Sequence, residues 1–175
     1  TARGYPAMCA NTTGSNNTAF GLEALKTNIT GAGNTAVGRD ALETSTGNDN
    51  TAVGYEALKL TTTGTRNSAV GRNTLEANTS GGDNTAMGTN ALLLNTTASS
   101  NTAFGADALT DNTTGVENVA VGQAALCDNT TGAENVAVGR LALAKNTTGD
   151  ANTAVGICAI FTNTTGDNNT GVGFN

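Results

Sequence analysis

The chain has 175 residues, a net charge of −6 and no His, and aromatic residues make up only 3% of it. Its acidic character and the lack of a basic cluster exclude nucleic acid as an expected partner. No apolar run approaches the roughly 20 residues of a membrane-spanning helix, so no membrane span is expected.

One short motif recurs along the whole chain, an Asn followed by Thr-Ala-Val-Gly or a close variant. The Asn stands at Asn17, Asn34, Asn50, Asn67, Asn84, Asn101, Asn118, Asn135, Asn152 and Asn169. Successive gaps are 17 residues except for one gap of 16, and a Gly follows four residues after every Asn. A fixed period of this length predicts a stack of similar coils, so we treat residues 1–175 as a single repeat domain.

In chain order, each coil has the pattern T-A-[VFM]-G-x-x-A-L-x-x-N-T-T-G-x-x-N. The first coil, residues 1–17, is atypical because Arg3 replaces the apolar third residue and Pro6 occupies a turn position. The coil of residues 35–50 is one residue short, which we interpret as a loop deletion. Residues 170–175 supply an incomplete last coil.

The apolar stretches of each coil are short and are closed by Gly on one side and by Asn-Thr-Thr-Gly on the other, which favours strands over helices. The sequence therefore predicts an all-β parallel β-solenoid of about ten 17-residue coils with two short strands per coil. Because side chains alternate along a strand, we expect the Val and Leu columns to face inward and both Ala columns to face outward. The predicted core columns include Val37, Val53, Val121, Val138 and Val155, with Leu42, Leu58, Leu109, Leu126 and Leu143.

The repeat of T-A-V-G-x-x-A-L followed by N-T-T-G closely resembles the repeats of phage tail-fibre shafts and bacterial surface fibres. It is similar, more loosely, to the N-S-x-A-I-G head repeats of trimeric autotransporter adhesins. The resemblance covers essentially the whole chain and implies a parallel β-roll, left-handed and commonly trimeric in the adhesin heads.

Self-association is the expected partnership. Outward-facing Ala columns would let another subunit approach closely, and the apolar last coils together with the atypical first coil favour end-to-end addition. A filament and a trimer both remain open. The residues assigned to the assembly interface are Arg3, Pro6, Leu141, Ile157, Ile160, Phe161, Val172 and Phe174.

The sequence offers no catalytic constellation, because without His no Ser–His or Cys–His nucleophile can form and no two carboxylates stand out as a pair. We expect no enzyme activity and no cofactor or metal. A structural calcium ion on the turn acids Asp49, Asp83, Glu117 and Glu134 is disfavoured because these acids lie in non-adjacent or mixed coils. Cys9, Cys127 and Cys158 are expected to be buried free thiols, although their odd number leaves room for an intermolecular bond.

Asn-x-Ser/Thr sequons are dense, and two interpretations stand side by side. A turn that uses Asn followed by stacked Thr creates the sequon automatically, yet turns are also where glycans attach. The candidate glycosylation sites are Asn11, Asn16, Asn28, Asn78, Asn95, Asn112, Asn129, Asn146, Asn163 and Asn168.

One further column carries alternating charge, with Lys26, Glu43, Lys59 and Glu76 at equivalent positions of successive coils. Neighbouring coils should attract each other weakly along it, by about 0.2–1 kcal/mol per pair.

The sequence thus predicts an extracellular structural protein: a subunit or shaft segment of a fibre, filament or adhesin-like appendage at the cell surface, with glycans or a cell-surface receptor as further partners. A receptor-binding shaft of a phage tail fibre is one alternative. Ice binding through the Thr-Thr column, from Thr12-Thr13 to Thr164-Thr165, is another.

Overall fold

The computed structural model describes residues 1–174 and contains one parallel β-sheet whose 11 strands lie in sequence order. Each coil contributes one strand, and the described residues contain no helix. The chain is therefore an all-β parallel β-solenoid of about ten coils, as predicted. Asn175, which the sequence analysis placed in the incomplete last coil, lies outside the described residues.

The strands are short, and all but the first have three residues. They are β1 (Ala2–Arg3), β2 (Thr18–Phe20), β3 (Thr35–Val37), β4 (Thr51–Val53), β5 (Ser68–Val70), β6 (Thr85–Met87), β7 (Thr102–Phe104), β8 (Val119–Val121), β9 (Val136–Val138), β10 (Thr153–Val155) and β11 (Thr170–Val172).

Equivalent residues of successive coils pair in register along the sheet. Thr18 pairs with Thr35, and Thr35 pairs with Thr51 although the coil between them has only 16 residues. The missing residue is absorbed in the turn before Gly47, where the other coils have one residue more. The short coil therefore does not disturb the sheet.

The prediction of a second strand in each coil is wrong. The Ala-Leu segment forms consecutive turns instead: Glu23 and Leu25 have φ angles of 57° and 51°, and the Lys26 amide donates to the Glu23 carbonyl at 3.2 Å. A positive φ at the third residue of a turn is the type II geometry, whereas an extended strand needs negative φ. The same left-handed conformation recurs at this Leu position through to Ile160.

The assignment of the Val column to the core, and of the Ala columns to the outside, is also wrong. In β8 the Ala120 side chain is fully buried, whereas Val121 is 38% exposed. Of the other Val residues assigned to the core, Val53, Val138 and Val155 are exposed and Val37 is half-buried. The strand does alternate, but with Ala inward and with Thr and Val outward.

The Leu column is buried as predicted, with Leu42, Leu58, Leu109, Leu126 and Leu143 all at 0% exposure. Adjacent residues of the turn, such as Ala24 and Leu25, both face inward because the left-handed φ at Leu breaks the alternation of a strand. The Leu side chains and both Ala columns then form one core cluster. With Leu filling this thin interior, only a small side chain fits opposite it on the strand.

Two columns of Asn complete the interior. In the first column, the Asn34 amide N–H donates to Oδ1 of Asn17 at 2.9 Å, and its Nδ2 donates to the Gly47 carbonyl at 2.8 Å. In the second, Nδ2 of Asn95 donates to Oδ1 of Asn78 at 2.9 Å on the preceding coil. Buried polar groups need such partners, so the two ladders pair most of the buried Asn side chains, and the first ladder joins each coil to the next.

Candidate functional site: the outward face of the sheet

The outward surface of the sheet, which we call the strand face, consists of the first and third side chains of strands β2 to β11. These positions hold only Thr, Ser, Val, Phe and Met. Phe20 is 53% exposed, Met87 45% and Val155 38%. With about 4.8 Å between strands, the face extends for about 43 Å. A continuous apolar stripe of this kind typically marks an interaction surface.

The strand face is bordered by two edges of different charge. The residue after the strand Gly is Arg in three coils, and we call this border the arginine edge: Arg39, Arg72 and Arg140. The residue before the buried Asn is acidic in four coils, and we call this border the acidic edge: Asp49, Asp83, Glu117 and Glu134. All seven residues are exposed.

Within the arginine edge, Tyr55 lies between two guanidinium groups of the neighbouring coils. The Cζ atom of Arg39 is 5.7 Å from the ring centroid and that of Arg72 is 5.6 Å. Cation–π attraction at exposed sites is worth about 0.5–1 kcal/mol, so the ring helps to hold both cations at the surface.

Within the acidic edge, Arg66 interrupts the column of acids that the sequence analysis considered for calcium. Its guanidinium forms a paired contact with Asp83, with distances of 2.6 and 2.8 Å. This hydrogen bonding lowers the pKa of Asp83. Arg66 thus lies between Asp49 and Asp83 and provides the cation at that point of the edge.

The predicted assembly residues fall into two separate groups. Arg3 and Pro6 lie in the first coil, and the remaining six lie in the last coils from Leu141 onward. Arg3, Ile157, Val172 and Phe174 are exposed, while Pro6, Leu141, Ile160 and Phe161 are half-buried. Ile160, Val172 and Phe174 line an open depression of about 140 Å³. The structure does not bring the two groups together within one chain.

Most of the candidate glycosylation sites are buried. Six of them have 0% exposure: Asn28, Asn78, Asn95, Asn112, Asn129 and Asn146. Their side-chain amides donate inside the coil, as Asn112 does to Gly115 at 2.9 Å. Asn11 and Asn163 are half-buried, and Asn16 and Asn168 are exposed. The turn chemistry alone therefore accounts for the six buried sequons.

The Thr-Thr column has a structural use for the first Thr of each pair. The hydroxyl of Thr113 donates to the Thr130 carbonyl at 2.9 Å, and that of Thr130 donates to the Thr147 carbonyl at the same distance. The second Thr of each pair, such as Thr114 or Thr131, is exposed. The first Thr of each pair therefore uses its hydroxyl in a bond between coils. Only the second Thr of each pair presents its hydroxyl to solvent without such a bond.

The column of alternating charge forms one of its expected inter-coil pairs, since Lys26 lies 3.8 Å from Glu43. Lys59 instead pairs with Glu56 of its own coil at 2.7 Å. That hydrogen bond raises the pKa of Lys59. Glu23 and Glu56 thus compete with the acids of neighbouring coils for Lys26 and Lys59. The pattern of the charged column alone did not indicate this competition.

The three cysteines are free thiols, but they are not all buried. Cys9 is exposed, whereas Cys127 and Cys158 are half-buried. Burial, together with the hydrogen bond to Asp128, raises the pKa of Cys127 to about 12. The expectation of a buried thiol is therefore wrong for Cys9.

Sequence reasoning missed one cluster of side chains, formed by Glu23, Asp40 and Glu43 on two adjacent coils. The available signal was an acid at the same position of successive coils, at Glu23, Asp40 and Glu56. It was not used because only the column of Asp49, Asp83, Glu117 and Glu134 was considered for a metal ion, and Glu43 belongs to a different column from Glu23 and Asp40.

In the part of the chain that the structure describes, no helix is long and apolar enough to cross a membrane. The fold and the strand face together define the class of this protein, a tandem-repeat parallel β-solenoid with one apolar outward face. Comparison of the chain with family models, curated proteins and solved structures gives no match.

Proposed function

We propose that the chain is a stiff shaft segment of an extracellular fibre or surface appendage, in which copies associate side by side through the strand face. The observation that carries the proposal is the strand face itself. It is built only from Thr, Ser and apolar residues over ten coils, in a chain whose net charge is −6. If the strand face were exposed to solvent, an acidic chain would be expected to carry charged residues there. Their absence favours a partner that covers the face.

A second copy of the same chain is the occupant that fits best. Both copies have the same spacing between coils, so side chains can interdigitate along the full length without losing register. The two edges are also complementary in charge, because Arg39, Arg72 and Arg140 of one copy can face the acidic edge of its neighbour. Such complementarity favours one partner and one orientation.

The size of the strand face indicates that one contact alone is weak. About 43 Å of length and about 10 Å of strand width give a footprint of roughly 430 Å², about half of the ~800 Å² that a standard interface buries on each partner. The two edges must therefore contribute to a stable contact. The arginine edge of one copy against the acidic edge of the next is a heterologous contact, which closes into a ring when the rotation between successive copies divides a full turn.

A ring of three parallel copies is the form that the resemblance to trimeric adhesin heads implies. Stiffness along the axis follows from the Asn ladders, because each coil is hydrogen-bonded to both neighbours. The assembly belongs at the cell surface or in a virion fibre, where a receptor or glycans would be its further partners. The chain has no catalytic role in this proposal.

Ice binding through the Thr-Thr column is the weaker alternative. Half of that column is engaged in bonds between coils, as between Thr113 and Thr130. The test is thermal hysteresis of the purified chain: activity that Thr114→Lys and Thr131→Lys abolish would favour ice binding over the fibre proposal.

The oligomeric state tests the fibre proposal directly. We expect light scattering coupled to size exclusion to give a mass above that of one 17.3 kDa chain. Val121→Lys places a charge on the strand face and should shift the population toward monomer. Arg72→Glu should weaken the assembly at the arginine edge, and high salt should weaken it as well.

Lys145→Glu is the matched control, because Lys145 is exposed but lies on the turn between the core Leu and the Asn-Thr-Thr segment, away from the strand face and both edges. It should leave the mass unchanged. All variants should keep the β-sheet spectrum of the parent chain. A monomeric parent chain at high concentration, or a Val121→Lys variant that associates as the parent does, would overturn the proposal.

A further inference from the structure

The carboxylates of Glu23, Asp40 and Glu43 converge at one point beside the second and third coils. One carboxylate oxygen from each residue lies within 4.8 Å of the corresponding oxygens of the other two. Glu23 and Asp40 occupy the same position of adjacent coils, one residue before the Ala-Leu turn, and Glu43 directly follows Leu42. Like charges directly opposite each other on neighbouring strands or turns are destabilising unless a cation lies between them.

Asp40 is the unusual member of this group. Asp40 is only 4% exposed, and its Oδ1 atom has no hydrogen-bond partner among the residues that the structure describes. Its Oδ2 atom lies 3.2 Å from Nε of Arg39. A buried carboxylate oxygen without a donor is costly, so its surroundings call for a further positive group.

Three cations lie nearby but leave the group incomplete, since Lys59 is held by Glu56 at 2.7 Å and reaches Asp40 and Glu43 only at longer range. Lys26 is 3.2 Å from a carboxylate oxygen of Glu23 and 3.8 Å from one of Glu43. Of the three carboxylates in the cluster, Arg39 contacts only that of Asp40. With Glu56 included, four carboxylates thus face three cations, and Oδ1 of Asp40 receives a hydrogen bond from none of them.

In the same column, Oδ1 of the neutral Asn73 is also buried without a partner, but at a later acid the requirement is met. Asp107 holds the position of Asp40 four coils later, and the side-chain amide of Asn90 on the preceding coil donates to it at 3.0 Å. Asp40 has Glu23 on the preceding coil and Glu56 on the next, and neither carboxylate can donate a hydrogen bond. Asp107 is therefore satisfied without an ion, whereas a cation would satisfy the unpaired oxygen of Asp40.

We propose that Glu23, Asp40 and Glu43 form a binding site for a divalent cation of the calcium type. Calcium takes six to eight oxygen ligands in irregular geometry, and these carboxylates supply oxygens from two coils, with water completing the shell on the exposed side. Magnesium demands near-ideal octahedral geometry and suits such a set poorly. The site joins the coil of residues 18–34 to the short coil of residues 35–50.

The location adds a structural reason for the ion. The short coil lacks the second Asn column, because Ser45 stands in the position that Asn28 holds on the coil before it. Oδ1 of Asn28 and Oγ of Ser45 are buried without a partner in the described structure. The hydrogen bond between Asn side chains that joins other coils is therefore missing between these two coils. A cation bound by carboxylates of both coils would join them in its place. The site does not depend on the proposed function.

Calcium titration of the full chain by calorimetry tests the site. We expect a dissociation constant of roughly 10⁻⁴–10⁻³ M, the range of calcium sites in extracellular modules, and weaker binding of magnesium. Asp40→Asn should weaken calcium binding at least about tenfold, because it removes the buried charge. This variant should fold, since Asn73 and Asn90 occupy the same position with the same left-handed φ, 54° and 57°.

Three further variants sharpen the result. Asp107→Asn is the matched control and should bind calcium as the parent does. Lys26→Met should tighten binding, because the competing ammonium is gone. Should Asp40→Asn fail to fold, Glu43→Gln provides the same comparison. If neither the parent nor Lys26→Met binds calcium at about 10 mM, or if Asp40→Asn and Glu43→Gln bind it as tightly as the parent, the site is refuted.

Discussion

The side-chain amide of Asn78 donates to the Gly81 carbonyl at 3.0 Å, and beside it on the preceding coil stands Thr61, whose buried hydroxyl has no partner in the described structure. One coil later, Asn95 has both bonds, to Ala98 and to Oδ1 of Asn78. Thr61 therefore marks a gap in the second Asn ladder. The gap begins at Ser45, in the short coil.

We expect Thr61→Asn to stabilise the chain by about 1 kcal/mol, because the new Oδ1 would accept from Asn78 and the new Nδ2 could donate to the Gly64 carbonyl. The denaturant midpoint of unfolding measures the effect. Thr63→Asn, at an exposed position two residues away, should leave the midpoint almost unchanged. A lower midpoint for Thr61→Asn would show that the gap is required by the packing.

Adjacent residues of one strand should differ sharply in their tolerance of charge. Ala137→Asp places a carboxylate in the interior, where Ala137 is 0% exposed, and we expect a loss of more than about 3 kcal/mol or failure to fold. Val138→Asp, on the strand face, should fold normally, because Val138 is 37% exposed. Thermal unfolding of the two variants, followed by circular dichroism, tests this. A large loss for Ala137→Asp alone supports an inward Ala column, and a large loss for Val138→Asp alone would support an inward Val column.

The strand Gly column should not accept a side chain. Gly122 has a φ of 136°, and a Cβ atom there would overlap the carbonyl group of Gly139 on the next coil. Gly122→Ala should therefore destabilise the chain by several kcal/mol. Gly33→Asn serves as the comparison, since its φ of 71° is close to that of Asn16 at the same position, 59°, and a Cβ atom there would overlap only the carboxylate of the exposed Asp49 side chain, which can move. Similar melting temperatures for both variants would contradict this account of the Gly column.

Any glycan on the folded chain should be confined to the exposed sequons. Asn16 and Asn168 are exposed, whereas Asn78 and Asn112 are at 0% exposure with both amides hydrogen-bonded inside the coil. A glycan on either buried Asn would have to displace those bonds and the coil around them. Peptide mass spectrometry of chain secreted from a glycosylating host checks this. Glycans on Asn78 or Asn112 in natively folded material would disprove it.

Cys9 and Cys127 should differ in reactivity toward thiol reagents. With a pKa of about 12, only about one Cys127 in 10⁴ is a thiolate at pH 8, and the thiolate is the reactive form. Cys9 is exposed and should be labelled first by iodoacetamide. The Cys127 rate should rise about tenfold per pH unit between pH 8 and 11, as measured by peptide mapping.

The same thiol makes a pH-dependent contribution to stability. Its folded pKa lies above the ordinary thiol value of 9.0, so the contribution is complete below about pH 9 and is lost as the pH rises toward 12. Cys127→Ser should reduce the alkaline loss of stability over that window. Rapid labelling of Cys127 in the native chain at pH 8 would contradict the burial of this thiol.

Much of the architecture could be predicted from periodicity. The repeated Asn and Gly define the length of each coil, the parallel register and the position of the short coil, because stacked coils can pair only when equivalent residues align. The Leu column is buried as the pattern indicates, since no polar residue replaces it in any coil from Leu25 to Leu143. The turn chemistry of Asn-Thr-Thr-Gly likewise anticipates stacked hydrogen bonds.

Only the tertiary structure decided which side of the strand faces inward. Ala120 and Val121 are both apolar, so alternation allows either to be buried, and hydrophobicity alone favours Val. The choice depends on the depth of the coil, which the left-handed and fully buried Leu126 limits by packing in one core cluster with the strand Ala residues. A left-handed Leu is costly by about 1–2 kcal/mol and has no signature in a hydrophobic pattern. Burial of Ala and Leu in the coils from Leu25 to Leu143, and the in-register bonds between coils, offset that cost, and the Val residues are left on the outside as the strand face.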